Sequence, residues 1–424
     1  MTDYLHAVFL STDSLVSGLG QSQIWPYLSR LCASGIRFTI ITREPAPERR
    51  PLWYAADEAR MRREVTQAGG RWIGLRRRWA PWDLLRMWVA AFWAAMRGTA
   101  RVLHARSDVA MAVAWSVGGC LGLRTVYDMR GFWADERLDA GLWREGWLSR
   151  TIRGLEDHWV CTADAVVVLT DAAAARLTRR LPAAKIHVIP TAVDLKRFVP
   201  LIKPLYSEAD GWTILYSGSL GTWQGLDDIG ALFRAVCRRH PGSHLVMLTP
   251  EPAERWYGRL LGDDLRPEQV IAEVDPAPAT LARRMASADV GVALYRRTRS
   301  AAGCSPVKVG EYLACGIPVV VSAGIGDCDE LLPRWRVGVV VASNAWDEAI
   351  EALEALRQDA DLPRRCHAVA EQFFNVEHGA VMYRQLYQHL GSRERGQVFG
   401  SVESTATDDE SAWRDRWTRT VEGE

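Results

Sequence analysis

This sequence predicts two consecutive α/β domains, each a doubly wound parallel sheet with helices on its faces. Three observations carry the prediction. The chain is 424 residues long, and at roughly 100–200 residues per domain two are expected. Short unbroken apolar runs alternate with helix-period segments, the pattern of strands buried on both faces. The alternation stops at a proline-bearing stretch, residues 199–211, and then begins again.

The elements follow in order. Tyr4 to Leu10 reads as a strand that runs into the Gly-bearing loop from Ser11 to Gly20. Gln21 to Ala33 places Ile24, Tyr27, Leu28 and Leu31 at helical spacing, Gly35 stops it, and Ile36 to Thr42 is a second strand. Together they form a βαβ unit. Further strands are expected at Arg71 to Leu75, Val102 to Ala105, Thr125 to Asp128, Ala165 to Leu169 and Ile186 to Ile189. After the break come Thr213 to Tyr216, Leu245 to Leu248, Val270 to Ala272, Val290 to Leu294 and Pro318 to Val321. The expected layout is a domain over 1–198, a linker over 199–211 with Pro200 and Pro204, and a second domain over 212–375. A helix over 376–391 and a polar tail over 392–424, expected to be mostly disordered despite Trp413 and Trp417, complete the chain.

Formal net charge is +1, which argues against a nucleic-acid binder with a strong basic field. The balance conceals an asymmetry: residues 1–200 hold 28 Lys/Arg against 19 Asp/Glu. Only four basic residues are lysines, so Lys308 stands out in its surroundings. The eight cysteines include no C-x-x-C pair, which fits reduced thiols in a cytoplasmic protein better than a disulfide or zinc framework. The opening MTDYLHAVFL has no basic n-region and does not read as a signal peptide. Val109 to Leu123, the longest uncharged apolar stretch, contains three glycines and falls short of the roughly 20 residues of a membrane span.

The strongest local signal runs from Ser305 to Val321, SPVKVGEYLACGIPVVV. Ser305 has N-cap chemistry, Pro306 suits the first helical position and Gly316 suits the C′ position, giving a short helix over 306–315. Its N-terminus presents free N–H groups and the positive dipole end, where a diphosphate is at home. Lys308 and Glu311 project from one face. A lysine in the first turn makes sense if an anion binds there; a solvated i,i+3 pair is the alternative.

This segment closely resembles the donor-binding helix of glycosyltransferase family 4, whose members have the two-domain GT-B fold of Rossmann-like domains facing across a cleft. Three further segments support the resemblance: Ile189 to Phe198 (IPTAVDLKRF), Tyr216 to Gly225 (YSGSLGTWQG), and Tyr127 to Glu136 (YDMRGFWADE). The last is similar to a motif of a bacterial surface-polysaccharide subgroup. The resemblance implies that Glu311 accepts hydrogen bonds from the donor ribose hydroxyls and that Lys308 and Ser305 sit by the diphosphate. It also implies that Gly218, Ser219 and Gly221 let the backbone approach the phosphates. Many members carry a sugar-contacting Glu eight residues before this one; here that position is Gly303. Backbone N–H groups of its small-residue loop are expected to take over. Arg296, Arg297 and Arg299 are candidates for a basic pair that is missing after the Gly-rich loop.

Asp327-Cys-Asp329 has the D-x-D form of metal-binding transferases, but a Gly-rich turn separates it from its strand, and no metal or other cofactor is expected. In the first domain the candidates lie at strand C-termini, where parallel α/β sheets bind ligands. These are His104, Asp128 and Arg130 for acceptor positioning or proton transfer, and Gly18, Gly20 and Glu136 for lining the cleft. Each has a structural rival reading, as a hydrogen-bonded histidine or a salt bridge. Residues 71–101 interleave Arg71, Arg76, Arg77, Arg78, Arg86 and Arg97 with Trp72, Trp79, Trp82, Trp88 and Trp93, a composition suited to a membrane surface. In the alternative reading Trp88, Ala91 and Phe92 face the core and only Arg76–Arg78 are exposed.

The resemblance thus implies a retaining, metal-independent transferase moving a sugar from a nucleotide-sugar to a saccharide or lipid-linked acceptor in surface-polysaccharide or glycolipid assembly. It would be cytoplasmic and peripheral at the inner face of the plasma membrane, with the final helix returning to the first domain. A catalytically silent scaffold and a nucleotide-sugar epimerase are the competing readings.

Overall fold

A computed structural model describes residues 4–50, 53–78, 80–201, 211–221, 224–262, 264–274 and 278–392. The apolar runs of the first half form β1 (Leu5–Ser11), β2 (Ile36–Glu44), β3 (Arg71–Arg76), β4 (Val102–Arg106), β5 (Arg124–Asp128), β6 (Ala165–Val168) and β7 (Ile186–Val188). They make one parallel sheet in the order β3-β2-β1-β4-β5-β6-β7. The second half supplies β8 (Thr213–Ser217), β9 (His244–Thr249), β10 (Val270–Val274), β11 (Val290–Ala293), β12 (Val319–Ser322) and β13 (Gly338–Val341), ordered β10-β9-β8-β11-β12-β13. In each sheet the order reverses beside the first strand, between β1 and β4 and between β8 and β11. The carboxyl ends flanking such a reversal are where open α/β sheets take ligands.

β13 was not expected from the sequence. Its four residues follow the helix Cys328–Arg334 after only three residues, a turn in which Arg336 takes φ +51°. The strands are buried as their composition requires: Ala7 to Leu10 and Ala165 to Val168 are almost wholly shielded. The second sheet packs on Ile229, Leu232, Phe233, Ile350 and Leu353.

The chain divides into two compact units, one reaching Pro190 and resuming at Val376, the other Thr191–Asn375. Residues 191–198, expected in the first domain, lie in the second. The Val193 N–H donates to Phe374 O at 2.7 Å, and the Thr191 hydroxyl donates to Ser305 O at 3.1 Å. Most of the expected linker, 202–210, and nearly all of the expected tail, 393–424, fall outside the described residues. The helix Val376–Gly391 packs within the first unit. Gly379 lies against Tyr27 so closely that an added Cβ would sit 2.6 Å from the ring, and Tyr383 meets Tyr27 edge-on at 5.3 Å. Among the described residues no helix is long and apolar enough to cross a membrane, and the eight cysteines are free thiols.

Candidate active site

In the second unit the site grows from the carboxyl end of β8. Gly218 adopts φ +122°, a conformation that calls for glycine, and a Cβ there would lie 3.1 Å from Lys308 Nζ. The Tyr216 hydroxyl donates to Ser219 O at 2.5 Å. The Leu220 N–H donates to Glu251 Oε2 at 3.0 Å, and the Thr249 hydroxyl donates to the same oxygen. Glu251, just beyond β9, thus orders the Gly-rich loop; its only sequence signal is its place at a strand's carboxyl end. A Cβ at Gly221 would lie 3.3 Å from Gln224 Oε1.

The short helix spans Val307–Ala314, one residue shorter at each end than expected. Ser305 does not cap it. Pro306 is extended (ψ 115°) and takes the capping position, while the Ser305 hydroxyl pairs with the Thr191 hydroxyl at 2.9 Å. At the other end Gly316 takes the expected left-handed conformation, φ +77°. Lys308 and Glu311 share one face as expected, yet they are not a solvated surface pair. Protein surrounds most of each side chain. Burial lowers Lys308 to about 8, opposed by Cys304 and Glu311, and raises Glu311 to about 7, opposed by Arg197 and Lys308. The Lys308 ammonium lies over Tyr216 at 4.1 Å and Tyr295 at 5.5 Å from their ring centroids. A charge held this way is ready for an anion that would replace its lost water.

The loop before the helix corrects another expectation. The N–H groups of Ala301, Gly303 and Cys304 already donate to Thr298, Ser300 and Ala301 carbonyls at 3.4, 2.9 and 3.0 Å. Gly303 is buried within this turn, and these donors serve the turn itself. Arg296, Arg297 and Arg299 are exposed. The Asp329 carboxylate accepts the Gly324 N–H with both oxygens at 2.9 Å, anchoring the Gly-rich turn after β12. Among the described residues no group of three His, Cys, Asp or Glu side chains is arranged to hold a metal ion.

In the first unit, strand register sets Ser11 beside Arg106 and Arg106 beside Asp128, at the carboxyl ends of β1, β4 and β5. Asp128 Oδ1 accepts from Arg130 Nη1 at 3.2 Å, and Oδ2 lies 3.4 Å from His104 Nε2. Although burial alone would raise it, Arg130, His104 and Arg106 together hold the Asp128 carboxyl well below the usual carboxylate range. His104 is not open to an acceptor. Its Nδ1 lies 2.6 Å from the Tyr387 hydroxyl, and Phe9, Tyr383 and Tyr387 enclose the ring, leaving it 2 % exposed. It positions Asp128 from behind, while Arg130 is the partly exposed member.

Glu136, on the helix Trp133–Asp139, folds over Gly131, and burial, with Asp108 nearby, pushes it up to about 7. Gly20 is required where it stands, because a Cβ would meet Ser14 O at 2.2 Å; Gly18 is exposed with open space around it. A residue the sequence did not single out, Glu44, anchors that loop. It accepts from the Leu15 N–H at 3.1 Å, the Thr42 and Tyr54 hydroxyls at 2.5 Å each, and the Ser14 hydroxyl.

The helix Ala80–Gly98 splits its aromatic residues between two faces. Trp88 stacks on Phe92 and donates to Ser116 Oγ at 3.1 Å, and Trp72 on β3 is buried. Trp82, Leu85, Val89, Trp93 and Met96 point outward, each about half exposed. Trp79 lies outside the described residues.

Comparisons with known proteins agree with this architecture. A Glycosyltransferase Family 4 model matches residues 25–197, and a Glycosyl transferases group 1 model matches residues 201–373. No curated protein matches the sequence. Sucrose-phosphate synthase from Thermosynechococcus elongatus aligns with TM-score 0.70 and 18 % identity, over 91 % of this chain and 99 % of that one. HepE from Anabaena, solved with UDP and glucose, aligns with TM-score 0.65 and 13 % identity over 91 % and 100 %. A glycosyltransferase from Rickettsia africae gives TM-score 0.65 and 12 % identity over 92 % and 100 %. The chain is a glycosyltransferase of GT-B fold, with a family 4 domain followed by a group 1 domain.

Proposed function

From that membership we propose that the protein transfers a sugar, with retention of configuration and without a metal, from a nucleotide-sugar to an acceptor used in surface-polysaccharide or glycolipid assembly. The observation that carries the donor assignment is the Lys308–Glu311 face beside Gly218. Lys308 supplies charge for the diphosphate and Glu311 offers two oxygens to a ribose diol. HepE, which shares the fold, has been solved with UDP and glucose, which supports a nucleoside diphosphate as the leaving group.

In this reading the bond from the anomeric carbon to the diphosphate breaks as the acceptor hydroxyl bonds to that carbon on the same face. The departing diphosphate takes the hydroxyl proton, so no protein nucleophile is required, and Lys308 stabilises the charge on the leaving oxygens. The acceptor belongs at the carboxyl edge of the first sheet, near Arg130 and Glu136. The outward stripe of the helix Ala80–Gly98, with Arg77, Arg78 and Arg97 exposed nearby, supports contact with an anionic membrane surface and hence a lipid-linked acceptor.

The test is to incubate the protein with UDP-, GDP- and ADP-sugars, with and without a polyprenyl-linked acceptor fraction, and follow nucleoside diphosphate release. The anomeric configuration of the product is then read by NMR. A catalytically silent scaffold is the second reading, favoured by Gly303 in place of a carboxylate. Binding of a nucleotide-sugar with no turnover of any acceptor fraction would support it.

A further inference from the structure

Arg106 ends β4 and is 3 % exposed. Among the described residues no ion pair or hydrogen bond holds its guanidinium, and its Nε, wholly buried, faces no acceptor. Folding around a buried, unpartnered cation is costly, and proteins normally pair such groups. The neighbours explain why this one is left over. Asp128, its partner in strand register, gives one oxygen to Arg130 and turns the other toward His104. Asp13, on the loop after β1, acts on Arg106 through space without forming an ion pair.

The same edge carries more positive charge. Arg77, just after β3, donates from Nη2 to Thr12 O at 3.2 Å. Ser107 takes φ +86°, a conformation L residues rarely adopt; its N–H donates to Asp128 O at 3.1 Å and its hydroxyl lies 3.2 Å from Thr12 Oγ1. Backbone strain of this kind persists only where the surrounding structure enforces it. A small pocket lined by Gln23, Tyr27, His104, Arg106, Asp128 and Tyr383 adjoins the cluster. Burial and Arg130 lower Arg106 to about 10, so it remains a cation at neutral pH.

We propose that Arg106 and Arg130 form an anion subsite that takes a phosphate or diphosphate group carried by the acceptor. The inference rests on the glycosyltransferase reading and narrows its acceptor to a phosphorylated sugar or a lipid-linked diphosphate. The guanidinium fork matches phosphate oxygens in pairs, a geometry a neutral oligosaccharide does not offer. Removing Arg106 leaves the fold as stable or more stable, because no internal partner loses a bond and a buried charge is gone.

Calorimetric titration of the full chain with glucose 6-phosphate and with citronellyl diphosphate tests this, on wild type, Arg106→Gln and Lys308→Met. At least one probe binds wild type, loses about tenfold or more in affinity in Arg106→Gln, and is unchanged in Lys308→Met. Whichever probe binds tighter identifies the source of the phosphate. UDP, GDP and ADP run in parallel, and the one that binds shows the opposite dependence. The melting temperature of Arg106→Gln is not below that of wild type. The proposal is overturned if neither probe binds wild type, if Arg106→Gln leaves binding intact, if only Lys308→Met abolishes it, or if Arg106→Gln is destabilised. Failure of all three nucleotides while a probe still depends on Arg106 would count against the donor reading alone.

Discussion

The Lys308 ammonium rests 4.1 Å from the centre of the Tyr216 ring, at the carboxyl end of β8. An aromatic face is a partial replacement for water around a cation, and burial brings this lysine down to about 8. The arrangement holds a charge at neutral pH at a cost to the free protein, a cost that a bound anion relieves.

Replacing Lys308 with Met therefore separates stability from binding. The melting temperature of Lys308→Met is expected to equal or exceed that of wild type, because a desolvated charge is removed. Affinity for the nucleoside diphosphate is expected to fall about tenfold or more, about 1.4 kcal/mol at the least. Calorimetry and thermal denaturation on the same preparations check both.

Stability should fall as pH rises through neutrality. Burial pushes Asp108 up to about 6 against its hydrogen bonds with Tyr127 and Glu156, and burial with repulsion from Asp108 pushes Glu136 to about 7 and Glu156 to about 8. Unfolded carboxyls titrate near about 4, so the folded chain holds more protons between that value and about 8. The stability these groups contribute is complete below their unfolded values and lost as pH climbs through the folded ones; Glu311 acts in the same direction. The urea midpoint is expected to drop from pH 5 to pH 8, and Glu156→Gln to flatten the drop. A midpoint that rises over that range would contradict the assignment.

Two glycines of one loop should respond in opposite ways. Gly20→Ala forces a Cβ to within 2.2 Å of Ser14 O and 2.4 Å of Leu15 O, both backbone atoms. The expected cost is about 1–3 kcal/mol or more. Gly18→Ala meets nothing within 4 Å and should change stability by less than about 0.5 kcal/mol. Chemical denaturation distinguishes them.

The outward face of Ala80–Gly98 should govern binding to vesicles. Trp82→Ala combined with Trp93→Ala removes two half-exposed rings. Sedimentation with vesicles containing anionic lipid is expected to fall several-fold while the melting temperature holds. Equal sedimentation of variant and wild type would count against a membrane role for this helix.

The alternation of strands and helices was legible because each buried strand is an apolar run bounded by polar residues or glycine. β13 escaped because it is only four residues long and begins three residues after a short helix, too brief a run to stand out from that helix. The Lys308–Glu311 face could be read from spacing within one helix. Ser305 misled because its capping chemistry is local, whereas the partner that claims its hydroxyl, Thr191, is 114 positions away. Arg106, Glu44 and Glu251 carry no signal beyond standing at or just past a strand's carboxyl end. What distinguishes them is which neighbours they have, or lack, once distant strands are side by side. His104 could be placed at a strand end, but the three rings that close it off come from β1 and the last helix.

The central claim, a nucleotide-sugar donor site built on Lys308 and Glu311, is tested most directly by thermal-shift titration with UDP, GDP and ADP on wild type and Glu311→Ala. A ligand specific to the folded state stabilises it by about 2.7 kcal/mol at a hundred times its dissociation constant. The account predicts that one of the three nucleotides raises the melting temperature of wild type without added metal and fails to raise that of Glu311→Ala. No shift with any of them, or an equal shift in the variant, would contradict it.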